Sequence, residues 1–294
     1  MKILNFGSLN IDHVYQVGHI VREGETIRAK ELRHFAGGKG FNQSIALARA
    51  GAQVFHAGCV GEDGDHLCGL LRENGVDTRY IKTVNTPTGN AVIQVDEHGQ
   101  NSIVVYGGAN HEIGREQIER TLSDFSPGDW LLLQNEISEI PYLIELGCRK
   151  DLKIALNPSP FDRGMLGLPL ENLSLLFVNE VEAAQMTGFD GGDVEEIVAQ
   201  LGAVLPGSGI VLTLGERGSV YLHDGQAVYQ RSFPAKALDT TAAGDTFTGY
   251  FLAAVLQGQT PQAAMELASR ASALAVSRPG AYPSIPWKEE LQAN

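Results

Sequence analysis

Residues 130–156, WLLLQNEISEIPYLIELGCRKDLKIAL, decide the fold class. An apolar run, Trp130–Gln134, leads through polar residues into a stretch that reads as helix, Ile140–Arg149. A second apolar run, Lys153–Leu156, follows. Short apolar runs without alternation are strands buried on both faces. The same alternation continues on either side. Downstream come the strand-like runs Leu175–Val178, Gly209–Leu214 and Ser219–Leu222, with helical stretches Val181–Thr187 and Val194–Leu205 between them. Upstream lie strands Lys2–Phe6 and Val54–Cys59 and helices Asn42–Ala50 and Asp65–Asn74. Strand and helix in regular alternation imply a mostly parallel sheet covered on both faces, an α/β fold. Ligands of such sheets sit at the carboxyl ends of the strands.

Two stretches break the pattern. His13–Phe35 mixes β-branched, aromatic and charged residues in near-alternation. Thr88–Tyr106 reads as a hairpin about Glu97-His98-Gly99-Gln100. Alternation means one sheet face is wet or covered by something mobile. The expected division is therefore an α/β domain of residues 1–12, 36–87 and 107–294, with a discontinuous β lid of residues 13–35 and 88–106.

With 43% apolar residues among 294, the chain can bury a full core. Its 34 glycines, well above the ~7% average, point to tight turns and close backbone approaches. Lys and Arg number 22 against 35 Asp and Glu, a net charge of −13, which argues against nucleic acid or an anionic membrane as partner. Cys59, Cys68 and Cys148 form neither a disulfide framework nor a zinc pattern, and are expected to be small buried hydrophobes. The opening MKILNFGSLNID lacks an apolar signal block, and no run reaches the ~18 residues of a membrane span. A cytoplasmic protein is the expectation.

The chemistry concentrates in a few segments. In Asp239-Thr240-Thr241-Ala242-Ala243-Gly244-Asp245-Thr246-Phe247, small residues precede a helical run. The free N–H groups of that helix start would attract phosphate, and the bare backbone lets a phosphoryl group come close. Asp245 there either takes the proton of an attacking hydroxyl or simply caps the helix. Gly37-Gly38-Lys39-Gly40-Phe41-Asn42-Gln43 is a bare loop before a helix, with Lys39 and Asn42 as donors. It is not a P-loop, since Gly40 stands where a hydroxyl residue is needed. Asn10, Asp12 and Glu136 follow strands and suit bidentate bonds to hydroxyls. Asn179 and Glu182 fit either a water-held Mg²⁺ or a capping box. Thr213-Leu214-Gly215-Glu216-Arg217-Gly218 either lines a nucleotide or closes a hairpin.

Together, GSLNID, GGKGFNQ, LLLQNE, NEVEA, TLGERG, DTTAAGDTF and RPGAYPSIPW run in order from Gly7 to Trp287. In that order the chain resembles the PfkB family of carbohydrate kinases, its ribokinase-type members most closely. The resemblance implies a three-layer α/β/α ribokinase-like domain with a mostly parallel sheet, plus a small β-sheet lid that closes over a sugar. It implies ATP-dependent phosphorylation of a small sugar, ribose above others, with Asp245 as base and Ala242, Ala243 and Gly244 as anion hole. It assigns Asn10, Asp12, Gly38, Lys39, Asn42 and Glu136 to the sugar. Asn179 and Glu182 would serve the Mg²⁺–phosphate end, and Thr213, Gly215, Gly218 and Gly244 the nucleotide. Ser269 would lie near the adenine, where ribokinases often place Asn. A monovalent cation, K⁺, would lie among Asp239, Thr241, Ala275, Arg278, Gly280 and Ser284, mostly on backbone oxygens. Pairing through the lids would make a homodimer. Two alternatives remain: a kinase for nucleosides or another pentose or hexose, and a sugar-binding regulator without catalysis.

Overall fold

Trp130–Gln134 and Lys153–Asn157 are neighbouring parallel strands joined by the helix Ile140–Arg149. The computed structural model describes residues 1–189 and 193–291. Its strands are β1 (Ile3–Phe6), β2 (Asn10–Gln16), β3 (Glu31–Gly37), β4 (Val54–Val60), β5 (Asp77–Thr83), β6 (Gly89–Val95) and β7 (Asn101–Tyr106). They continue with β8 (Trp130–Gln134), β9 (Lys153–Asn157), β10 (Leu175–Asn179), β11 (Gly209–Thr213), β12 (Ser219–His223) and β13 (Gln226–Gln230). The helices are α1 (Lys39–Arg49), α2 (Asp65–Glu73), α3 (Arg115–Leu122), α4 (Ile140–Arg149), α5 (Glu180–Thr187), α6 (Val194–Val204), α7 (Ala243–Leu256) and α8 (Pro261–Val276).

Nine strands form one sheet in the order β13-β12-β11-β10-β9-β8-β1-β4-β5. From β11 to β5 every pairing is parallel; β12 and β13 fold back antiparallel at one edge. Both faces are packed, which explains the unbroken apolar runs. Leu131, Leu133, Ile154, Leu156, Leu176 and Val178 meet α3, α4, α5 and α6 on one side. Ile3, Leu132, Ala155, Phe177 and Val211 meet α1, α2, α7 and α8 on the other. The fold is the α/β class expected.

A separate sheet, β3-β2-β6-β7, makes the lid. Its hairpin turns at residues 96–100, where the N–H of Asp96 donates to the Gln100 carbonyl. The lid strands begin earlier than the alternation suggests: β2 starts at Asn10 and β3 runs to Gly37. Asn10 and Asp12 therefore ride on the lid rather than on the loop after β1. The segment 17–30 between β2 and β3 carries no strand. Helices α3 and α8 and strands β5 and β13 also go unread in the sequence. Cys59 and Cys68 are buried, but Cys148 lies on the solvent side of α4 and is exposed, correcting the expectation for all three. Among the described residues no helix is long and apolar enough to cross a membrane.

Candidate active site

The cleft lies where the parallel strands end. Glu136 follows β8, Asn157 closes β9, Asn179 closes β10 and Thr213 closes β11. Asn157, Asn179, Glu182 and Thr213 line a cavity of about 240 Å³ together with Lys39 and residues 242–245. Its floor is the start of α7. Ala242 there adopts a left-handed conformation, φ 60°, which is costly for a residue with a Cβ and turns the next amides toward the cleft. Among the described residues no acceptor is found for the N–H of Gly244 or Asp245. That of Ala243 donates to the Thr240 carbonyl at 3.2 Å, so it is engaged within the turn. Bare N–H groups at a 14-residue helix start are a ready site for an anion.

Asp245 is buried and points at α1, not at its own helix start. Its Oδ2 accepts from the Asn42 amide at 3.0 Å and its Oδ1 from the Gln43 amide at 2.9 Å. The side chain does not bond the first-turn amides of α7, which disposes of the plain N-cap reading. The two helices can come this close because Gly249 lies against Ala46. A Cβ at Gly249 would fall 2.4 Å from that of Ala46.

The residues expected to hold a sugar gather beside this carboxylate. At the start of α1 the N–H of Lys39 donates to Glu136 Oε2 at 2.9 Å, and the N–H of Gly40 to Ser8 Oγ at 3.1 Å. Ser8 Oγ in turn donates to the same Glu136 oxygen. A carboxylate so placed is stabilised by the helix dipole. Gly40 makes the approach possible, since a Cβ there would sit 2.3 Å from the Ser8 nitrogen. Asp12 faces Glu136; burial first, and the Glu136 charge second, push its carboxyl up to about 6. Lys39 lies among Asp245, Glu136 and Glu182. Burial disfavours its charge, but those three carboxylates outweigh that and hold its pKa above the usual value. Asn10, 5% exposed, accepts from Asn110 Nδ2 at 2.7 Å. Gly38, with φ 92°, turns the chain into α1.

Other expected residues fare differently. Asn179 and Glu182 form a complete capping box: Asn179 Oδ1 accepts from the Glu182 N–H, and Glu182 Oε2 from that of Asn179. The second Glu182 oxygen remains available at the cleft, a hard oxygen donor that suits a water-held Mg²⁺. Gly215 and Gly218 flank a short turn after β11. Gly218 packs so tightly that a Cβ would meet the Gln230 carbonyl at 2.0 Å. Ser269 is buried in α8, outside the lining of the cavity at the start of α7. Behind the α7 start, Asp239 accepts from Thr241 N and Oγ1 and from the N–H of Gly280. Burial pushes its carboxyl up, but these bonds outweigh that and hold it below the usual carboxylate range. The loops carrying Asp239, Thr241 and Gly280 thus meet. A donor set of one carboxylate and backbone oxygens fits a hard monovalent cation. The Arg278 side chain pairs with Glu290, the Ala275 carbonyl accepts from the Arg278 N–H, and the Ser284 hydroxyl donates to the Ala281 carbonyl.

Gln43, Asn110, Asn157 and Gln134 are site residues that sequence reading misses. Asn157 had a signal, since it ends a strand just as Glu136 follows one. Asn110 closes a glycine turn, Gly107-Gly108, straight after the lid hairpin. Gln43 and Gln134 fall within the motifs GGKGFNQ and LLLQNE, but nothing local assigns either of them a role.

Known proteins resemble this chain over its length. The model of the pfkB family carbohydrate kinases matches residues 1–288. The chain is 35% identical to the ribokinase of Haemophilus influenzae, covering 97% of this chain and 95% of that protein. It is 30% identical to the deoxyribokinase of Salmonella typhi over 99% of this chain and 97% of that one. The structure of Arabidopsis thaliana ribokinase complexed with ribose and ATP superposes with a TM-score of 0.86 at 29% identity, covering 99% of this chain and 97% of that one.

Proposed function

The chain belongs to the pfkB family of carbohydrate kinases, ATP-dependent phosphotransferases, and from that premise we propose that it phosphorylates D-ribose, yielding ribose 5-phosphate. The observation that carries the reading is the Asp245 carboxylate at the cleft floor, held by an amide on each oxygen beside unpaired N–H groups at the start of α7. Asp245 accepts the proton as the sugar hydroxyl attacks the terminal phosphorus of ATP. The bond from that phosphorus to the bridging oxygen breaks, and ADP leaves. The amides of Gly244 and Asp245 receive charge on the transferring group, where a loose transition state needs it. Lys39 sits among the carboxylates with its charge favoured, ready to meet the phosphate oxygens.

Asn10 and Asp12 hold the sugar from the lid, and Glu136 from the sheet. Because Asn10 and Asp12 belong to β2, movement of the lid brings the sugar ligands with it and excludes water from the transfer. Asn10 beside Asp12 suits a free 2-hydroxyl, which favours ribose over deoxyribose. Mg²⁺, when bound, neutralises phosphate charge, and the Glu182 side would hold it through waters. Asp239 with backbone oxygens of Thr241, Ala275, Arg278, Gly280 and Ser284 would hold K⁺. Thr213 and the turn from Gly215 to Gly218 would receive the nucleotide. A second copy pairs through the lid, whose outer strand exposes Ile103, Val104, Val105 and Tyr106 by 52–66%. The protein works in the cytoplasm.

The test is a panel of ribose, deoxyribose, hexoses and nucleosides with ATP and Mg²⁺, run with and without K⁺. Ribose should have the highest kcat/KM. Preference for deoxyribose or a nucleoside would replace the substrate and leave the kinase.

A further inference from the structure

Behind Asp245 runs a buried chain of polar side chains that the transfer itself does not use. The carbonyl of Gly7 can only accept, so His56 Nε2, 3.2 Å away, carries the hydrogen. His56 Nδ1 is then an acceptor and takes the Ser44 hydroxyl at 2.8 Å. Ser44 Oγ accepts from Asn5 Nδ2 at 2.8 Å, and the same amide donates to the Gly40 carbonyl at 2.7 Å. Asn5 must therefore turn its oxygen to Gln134, whose Nε2 donates to it at 3.0 Å and to Gln43 Oε1 at 2.7 Å. Gln43 is left with its NH₂ facing Asp245 Oδ1 at 2.9 Å and Asn157 Oδ1 at 3.1 Å. Asn157 is fixed independently, because its own NH₂ donates to the Phe177 carbonyl at 3.1 Å.

Two backbone carbonyls at one end and a third at the other thus dictate which way the Gln43 amide points. A flipped Gln43 would set an oxygen against a carboxylate and its NH₂ against the Gln134 donor. Gln43, Gln134, Asn5, Ser44 and His56 are all fully buried, where an unpaired amide is costly. None of them lines the cavity at the start of α7.

We infer that Gln43 is a positioning residue for Asp245, with its amide orientation enforced by Gln134, and that this chain fixes the aim of the base. This rests on the reading of Asp245 as proton acceptor. Losing the Gln43 donor lets the carboxylate swing about its remaining bond to Asn42. It also takes from the charged carboxylate one of its two side-chain donors.

The test compares Gln43→Met and Gln134→Glu with wild type and with Asp245→Asn, measuring kcat, KM for sugar and ATP, and the pH profile of kcat. Gln43→Met should lower kcat about 10–100-fold, leave both KM values within about threefold and move the acid limb of the profile to higher pH. Gln134→Glu, which touches neither substrate nor Asp245, should move the same limb in the same direction by less. It also reports if Gln43→Met fails to fold. Variants that lose thermal stability yet keep kcat per folded molecule and an unmoved pH profile would overturn the inference. If Asp245→Asn itself keeps more than about a tenth of kcat, the base reading falls instead.

Discussion

Asp12 should cost the protein stability for the sake of its ligand. Its carboxyl is pushed from the ordinary 3.8 to about 6 by burial and by Glu136. Between those values the folded chain keeps a proton that the unfolded chain releases, so stability falls as pH rises from about 4 to 6 and stays low above. A displacement from 3.8 to about 6 corresponds to about 3 kcal/mol if fully expressed. Asp12 is only half-buried, and solvent screening reduces this to about 1–2 kcal/mol. Asp12→Asn removes the charge and keeps the shape. It should therefore be more stable than wild type by about 1–2 kcal/mol in urea unfolding near pH 7.5, with most of the gain gone by about pH 4. The same variant should raise the sugar KM about 10–100-fold, since a charged acceptor is lost. An Asn variant no more stable at neutral pH, or equally stabilised at both pH values, would refute this account.

His56 should act in the opposite sense. Burial holds its pKa down to about 4, so the unfolded chain binds a proton below about 6.5 that the native chain refuses. Stability should drop by about 2–3 kcal/mol between pH 7 and 4 on its account, and His56→Asn should flatten that slope in denaturant titrations. Gly249→Ala forces a Cβ to 2.4 Å from Ala46 and so parts α7 from α1. We expect a loss of about 1–3 kcal/mol, together with a fall in kcat as Asp245 leaves its amide partners, both measurable on the purified variant. Val104→Lys, on the exposed strand β7, should shift light scattering from dimer to monomer while leaving the fold's circular dichroism intact. Asp239→Asn should abolish K⁺ stimulation of kcat without changing the Mg²⁺ requirement.

Much of the α/β frame was legible because its strands are buried on both faces. Runs such as Trp130–Gln134 need no partner to be recognised, and their ends mark where Glu136 and Asn179 must appear. The lid was half legible. Its hairpin shows in Thr88–Tyr106, but β2 starts at Asn10, inside a motif that looks like a strand-end loop. The α7 start was visible in its small residues, whereas the capture of Asp245 by Asn42 and Gln43 was not. That contact joins residues 203 and 202 positions apart through helix packing. Gln134 illustrates the same limit. At the end of an apolar strand it reads as a boundary residue, yet it is fully buried and bonds to two other amides.

The most direct measurement is single-turnover phosphoryl transfer by Asp245→Asn, alongside binding of sugar and ATP to the same preparation. Intact binding with transfer slowed about 10²–10⁴-fold is the outcome expected of a lost proton acceptor on an undisturbed anion site. Transfer within about tenfold of wild type would mean that the hydroxyl's proton goes elsewhere, and the central assignment would have to be abandoned.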